Sequence, residues 1–358
     1  MKSVKILKIA MVLASLLVFT ACSTSQEENI TDIPDPGTSI TELPAVSVEK
    51  IDKYDGTEIT DWLDEQTVIL ARENLELGKM SLLERAEFYP RSIYLYNLKT
   101  GEQSPVKAQK EMFLGGAKLS PDKKHLLYYE YSIGDTAHFI MSMDEEEESP
   151  VTENVLGLAL TAEWADTNNV IGASYAGGAY IADTNRNLTV IAELQEEQLF
   201  TVKKSQDKIY YITINETLQL KMLDLNTKEK SNLSIENAEA IVPAHNGNEI
   251  LIIQGMESTK KLLLADHEGN ILKTIDEGVE ITGVSWSPDL TMIAYQLKTV
   301  TNGEESSGLY FYDVLADESI QIAVDIGVAE TSWSPSGKKI AIAEMNEKGY
   351  NSSVIYLK

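Results

Sequence analysis

From residue 57 onward, apolar positions come in short runs rich in Val, Ile, Leu and Tyr, divided by Gly, Asn, Asp and Pro. No stretch holds a long helical period with caps at its ends. Short β-branched and aromatic runs between turn residues predict an all-β sandwich, barrel or propeller. Self-similarity at a period of about 40–50 residues singles out the propeller. Trp286-Ser287-Pro288-Asp289 is followed by Ile293-Ala294-Tyr295, and Trp333-Ser334-Pro335-Ser336 by Ile340-Ala341-Ile342-Ala343. Leu119-Ser120-Pro121-Asp122 precedes Leu126-Leu127-Tyr128-Tyr129 in the same way. Each has an aliphatic residue seven positions after its anchor. That offset extends the series to Trp62, Trp164, Val202 and Pro243, so anchors recur on average every ~45 residues.

Each unit continues with a third run, such as Ile93-Tyr94-Leu95-Tyr96-Asn97 or Leu309-Tyr310-Phe311-Tyr312-Asp313, then a polar turn and a fourth strand. Four antiparallel strands make a propeller blade, and radial repetition leaves no long exposed sheet edge. The expectation is a seven-bladed β-propeller over residues 45–358, with six blades as the alternative. The last unit is short, so Val46-Ser47-Val48-Glu49 is expected to pair with residues 353–357 and close the ring.

The segments Trp286–Tyr295 and Trp333–Ala343 resemble the WD40-like repeats of TolB-type β-propellers, whose motif is roughly Trp-Ser-Pro-Asp-Gly-Lys followed by a hydrophobic strand. Leu290 stands where the motif has Gly, and Ser336 where it has Asp, so those turns should differ in detail. The resemblance implies a binding platform at the cell envelope without catalytic activity. The same repeat also occurs as the accessory propeller of prolyl-oligopeptidase-like enzymes.

The N-terminus has a different pattern. Lys2, Lys5 and Lys8 precede an apolar run from Ile9 to Phe19 that ends at Cys22, the sole cysteine. At ~1.5 Å per residue this run covers about half the hydrocarbon thickness of a bilayer, which suits an export signal and not a membrane span. Phe19-Thr20-Ala21-Cys22 resembles the lipobox of bacterial lipoproteins. The resemblance implies a signal peptide over residues 1–21 and an acylated Cys22 as mature N-terminus, anchored in the lipid bilayer. Residues 22–44, rich in Ser, Thr, Glu, Asp and Pro, read as a disordered tether.

Composition narrows the function. With 30 Lys+Arg against 56 Asp+Glu the net charge is −26, a surface that repels nucleic acid. One cysteine leaves no disulfide framework, which favours a Gram-positive cell surface over an oxidising periplasm. Four histidines offer little for a metal cluster, and no cofactor or metal site is predicted. Gly172-Ala173-Ser174-Tyr175-Ala176-Gly177-Gly178 imitates a nucleophile elbow, but a strand follows it where the elbow needs a helix. It reads as a Gly-rich hairpin. Asp144–Glu148 reads as a solvated turn, and His125 and His138 as surface or hairpin residues. No catalytic residue is assigned.

The connections between second and third strands are less uniform. They are long at Asn74–Arg91 and Thr299–Gly308, fairly long at Ser132–Thr136, intermediate at Met345–Ser352, and short elsewhere. In a closed ring these units are neighbours. The largest connection holds Leu82, Leu83, Phe88 and Tyr89. It is either a small helix packed on the disc or an apolar partner-binding patch. Glu304 and Glu305 would form its acidic rim. The leading expectation is therefore a monomeric, membrane-tethered, extracytoplasmic propeller that scaffolds or binds an envelope protein or cell-wall component. A small-ligand-binding sensory propeller is the alternative, and a hydrolase the more distant one.

Overall fold

Hydrogen bonding resolves the short apolar runs into strands throughout the computed structural model, which describes residues 46–358 except 135, 146, 153–158, 215–216 and 348. The first strand, β1 (Val48–Tyr54), is paired far along the chain. The next eight are β2 (Thr57–Trp62), β3 (Thr67–Glu73), β4 (Arg91–Asn97), β5 (Gln103–Lys107), β6 (Phe113–Leu119), β7 (His125–Tyr131), β8 (Ala137–Ser142) and β9 (Glu148–Pro150). They form one eight-stranded sheet.

Four-stranded sheets follow. The first is β10 (Glu163–Trp164), β11 (Asn169–Ala173), β12 (Ala179–Asp183) and β13 (Leu188–Val190). The second is β14 (Leu199–Ser205), β15 (Lys208–Ile214), β16 (Leu218–Asp224) and β17 (Lys230–Glu236). The third is β18 (Ala238–Pro243), β19 (Glu249–Gly255), β20 (Lys260–Asp266) and β21 (Ile271–Gly278). The fourth is β22 (Glu280–Trp286), β23 (Met292–Thr301), β24 (Glu304–Asp313) and β25 (Glu318–Val324). The last joins β26 (Ala329–Trp333), β27 (Lys339–Asn346) and β28 (Gly349–Leu357) to β1.

This corrects the expectation of seven, or six, separate blades. Among the described residues five sheets are independent four-stranded blades, and the first two repeats run together as one sheet. The cause is local. Arg91 opens β4 against Phe113 of β6 in a parallel bridge, and its amide donates to the Met112 carbonyl at 3.1 Å. The long connection before Arg91 frees the start of β4 to meet the next repeat.

Closure uses the N-terminal strand, which begins slightly later than the sequence suggests. β1 pairs antiparallel with β28 from Val48↔Leu357 to Tyr54↔Ser352. Ser47 and Lys358 exchange backbone hydrogen bonds at 3.0 Å each way.

The core lies between neighbouring sheets. Ile59, Trp62, Val68 and Leu70 pack against Ala341 and Val354 across the closing seam. Ala294, Leu309 and Phe311 pack against Ile340, Ile342 and Ile355 at the seam before it. Burying each such aliphatic side chain contributes roughly 1.5–3 kcal/mol. The anchor tryptophans add directional bonds. Trp62 Nε1 donates to Ser332 O (3.0 Å), Trp164 Nε1 to Lys118 O (2.9 Å) and Trp286 Nε1 to Val242 O (3.1 Å). Each acceptor is the residue just before the preceding repeat's anchor. Trp333 packs at a tilt of 40° against Phe311 instead, centroids 4.9 Å apart, and its buried Nε1 has no partner among the described residues.

The Ser-Pro hairpins share one lock. Ser120, Ser287 and Ser334 are buried, and their Oγ atoms accept from the amides of His125, Met292 and Lys339. Lys123, Leu290 and Gly337 take the left-handed backbone there, at φ 64°, 61° and 71°. The seven-residue offset holds as a cross-strand pair for Leu119, Pro243, Trp286 and Trp333. It does not for Trp62, Trp164 and Val202, which face Val68, Val170 and Tyr211. In the first two, Asp64 and Asp166 tighten the turn by accepting two successive amides. In the third, a two-residue turn lets the strands run on to Ser205↔Lys208.

Candidate functional site: the sector of long connections

Second-to-third-strand connections leave one face of the ring, and four uneven ones lie on consecutive sheets. Inner strands hold those sheets in register. Thr331 Oγ1 bonds Ser285 Oγ (2.6 Å) and Gly283 O (2.5 Å), joining β26 to β22. Thr60 Oγ1 donates to Ala117 O at 2.6 Å, and Asp61 accepts from Leu119 N at 2.8 Å, joining β2 to β6.

Two of the expected loops are strand. Thr299–Gly308 is the end of a β23–β24 ladder that runs out to Thr301↔Glu304. Asn302 and Gly303 turn it with φ of 56° and 85°, the left-handed pair that a two-residue hairpin needs. The stretch from Met345 to Ser352 likewise continues β27 and β28 out to Asn346↔Gly349. Both hairpin tips are polar, so pattern alone reads them as loop.

The connection over residues 74–90 is neither a helix nor a free loop. Two 3₁₀ turns, Leu75–Leu77 and Leu83–Arg85, are tied down at several points. Asn74 caps the first through Glu76 N (3.1 Å) and donates Nδ2 to Ser92 Oγ (3.0 Å). Ser81 N donates to both Glu111 carboxylate oxygens, and Arg85 Nε to Ser132 O at 3.0 Å. Phe88 meets Phe113 edge-on at 6.2 Å, and the Arg85 guanidinium lies 5.6 Å from the same ring. Met80 is buried. The connection is therefore draped over the start of β6 and the β7–β8 turn.

What it presents outward is apolar. Leu83 is 87% exposed and Phe88 46%, while Leu82 and Tyr89 are half-buried. Glu304 and Glu305 are exposed on the β24 hairpin, Glu305 paired with Lys298 at 2.7 Å. The last sheet lies between that hairpin and the 74–90 connection, so these acids and Leu83 do not form one continuous patch.

Beneath the sector is a cluster that sequence reasoning missed. Arg91 Nη2 donates to Glu58 Oε2 at 2.7 Å and to Ala71 O at 3.1 Å, with side-chain exposures of 13% and 6% for Arg91 and Glu58. The guanidinium lies 4.8 Å from the Tyr350 ring centroid. Burial raises the Glu58 carboxyl above its ordinary range, with Arg91 opposing the shift. Burial and the Glu58 charge likewise raise the Tyr129 hydroxyl. Gly115 makes room: a Cβ there would stand 2.5 Å from Tyr129 Oη and 2.9 Å from Glu58 Oε2. The Gly115-Gly116 pair inside a strand was the available signal. Chemically this is a rigid polar floor under the connection.

The remaining sequence candidates are placed plainly. Ser174 sits between β11 and β12, a strand–turn–strand hairpin closed by its amide to Gly178 O at 3.1 Å. The acidic run is not simply solvated, because Glu147 pairs with Arg186 and Glu148 with Lys107 and Tyr128. Nor is His138 a surface residue. It lies within β8 against Tyr129, its Nδ1 buried without a partner, and burial pulls its pKa down to about 4. His125 opens β7, half-buried beside Trp164. Cys22, the signal over 1–21 and the tether over 22–44 lie outside the described residues.

Neither the protein-family models nor the curated proteins contain a match to this chain. Among solved structures, an oligogalacturonate lyase in complex with manganese superposes with a TM-score of 0.61 at 11% identity, over 86% of this chain and 91% of that one. The shared feature is the fold. This chain is a β-propeller. TolB from Acinetobacter baumannii matches at 0.49 and 11% identity, over 67% of this chain and 61% of that one. The tricorn protease matches at 0.42 and 14%, over 79% of this chain, which spans 28% of the protease chain.

Proposed function

We propose that the protein is a non-catalytic binding propeller, held at an extracytoplasmic membrane surface by an acylated Cys22. An envelope protein or cell-wall component docks on the sector of long connections. The observation that carries this reading is the placement of Leu83 and Phe88 outward on a connection pinned by Ser81, Arg85 and Met80. A loop ordered before binding avoids the entropy of ordering at contact, and exposed apolar anchors on such a loop suit a protein or polymer surface. The propeller fold supports a scaffold role, and the lipobox-like stretch ending at Cys22 supports the anchor.

The test uses the full chain in its native envelope. Crosslinked partners are compared between wild type, a Leu83→Ser/Phe88→Ser variant and an Ile271→Ser/Leu272→Ser control on β21. Loss of a specific partner only in the first variant supports docking at the sector, and equal retention in all three refutes it. Intact mass showing no acyl group on Cys22 refutes the anchor.

A further inference from the structure

We propose that the pocket at the closing seam, between the last sheet and β2–β5, binds a phosphate-bearing polyol through Lys50, Lys99 and Lys339. It is separate from the sector of long connections and does not depend on that reading. The pocket measures about 220 Å³ and is lined by Lys50, Glu65, Gln66, Leu98, Lys99, Lys339 and Tyr356. Three ammonium groups around one small cavity are unusual in a chain whose acids outnumber its bases 56 to 30.

The lysines are held in different ways. Lys50 Nζ lies 4.0 Å from the Tyr356 ring centroid and is steadied by Asp52 at 2.8 Å. Lys339 Nζ lies 5.6 Å from the centroid of the same Tyr356 ring and is tied to the backbone and carboxylate of Glu65. Lys99 makes no ion pair among the described residues. Its amide is fixed by Asn97 Oδ1 at 2.9 Å, which sets the β4–β5 turn at the pocket rim.

The lining matches one ligand class. Lysine ammoniums serve phosphate oxygens as point charges, without the planar fork that carboxylates favour. Glu65 and Gln66 offer acceptors and an amide donor suited to hydroxyls, and Tyr356 and Leu98 offer apolar faces for the carbons between. A bare anion would leave Glu65 facing it, whereas a polyol phosphate separates its charge from its hydroxyls. Two sources share that chemistry: a soluble glycerol-phosphate unit and the headgroup of an anionic phospholipid. The pocket lies on the closing sheet, where Lys50 of β1 and Tyr356 of β28 form part of its wall.

The test titrates the purified full chain with glycerol 3-phosphate and with inorganic phosphate. In parallel, the full chain carrying Cys22→Ser is sedimented with phosphatidylglycerol or phosphatidylcholine vesicles. A Lys50→Gln/Lys99→Gln variant leaves the Lys339–Glu65 link intact, and Lys338→Gln is the nearby control. Melting temperatures report folding, and Lys99→Gln alone replaces the pair if the double variant melts early. We expect saturable glycerol 3-phosphate binding weakened about tenfold or more in the double variant, the loss of a charge-assisted contact, and unchanged in the control. Binding seen only with phosphatidylglycerol vesicles, and lost in the double variant, also supports the site and names the headgroup as its source. Inorganic phosphate binding as tightly as glycerol 3-phosphate overturns the polyol assignment. No binding in either arm, or binding that survives the double variant, overturns the site.

Discussion

Trp62 donates its indole N–H to the carbonyl of Ser332, 270 positions later in the chain, at 3.0 Å. The same bond recurs from Trp164 and Trp286 to their preceding repeats, while Trp333 lacks it. Replacing Trp286 with Phe removes that bond, whereas Trp333→Phe discards an N–H already without a partner. Trp286→Phe should therefore cost about 1 kcal/mol more than Trp333→Phe, measured as denaturant midpoints.

The Ser-Pro turns offer a test of opposite sign. Leu290 occupies the left-handed conformation at φ 61° that Gly337 occupies at φ 71° in the equivalent turn. A side chain there costs roughly 1–2 kcal/mol, and glycine's extra unfolded-state entropy offsets about half of it. Leu290→Gly should stabilise by about 0.5–1 kcal/mol, and Gly337→Leu should destabilise by a similar amount or more. Thermal melts of the two variants check both signs.

Arg91 and Glu58 form the most buried ion pair described, and they underlie the sector of long connections. Removing Arg91 alone strands the carboxylate, so Arg91→Met should cost about 3–5 kcal/mol. The double variant Glu58→Gln/Arg91→Met should recover a large share of that loss. Chemical denaturation of both singles and the double measures the coupling.

His138 predicts a pH window. Burial pulls its pKa down to about 4, against about 6.5 in an unfolded chain. Above that unfolded value both states are neutral and the histidine contributes no pH dependence. As pH falls from 6.5 to 4 the unfolded chain takes up a proton that the folded one does not, so stability declines across that range and levels off below it. Carboxylates held low by hydrogen bonds, such as Asp183 with Asn185 and Asn187, lose their contribution at still lower pH. His138→Phe should flatten the melting-temperature slope between pH 6.5 and 4 and leave the lower-pH slope unchanged.

What was legible in the sequence was whatever a single repeat determines. A tryptophan followed by Ser-Pro marks the end of an inner strand because the serine Oγ and the left-handed third residue close the hairpin locally. Asn97, Asp183, Asp224, Asp266 and Asp313 end third strands for a comparable reason, each accepting amides of the turn that follows. Features that join repeats were not legible. The Arg91–Phe113 bridge depends on where a long connection sets down its strand, and no residue type announces it. The seam pocket draws Lys50, Lys99 and Lys339 from positions far apart in the chain, and the polar floor draws Glu58, Arg91, Tyr129 and Tyr350 from four strands. Leu83 and Phe88 were legible as excess apolar side chains, but their exposure depends on which loop neighbours cover the connection, and Met80 is the one they bury.

The pairing of β1 with β28 has a consequence in time. Ser47 and Lys358 are 311 positions apart, so β1, the first of the described strands, waits for β28 before it has a partner. Sheets from β10 to β25 draw only on neighbouring sequence and can assemble as they are made. Through that whole interval β1 is an unpaired strand carrying Ile51 and Tyr54. The ring closes only once β28 has been made, and a chain stopped short of β28 is left with two open edges where the closed ring has a seam.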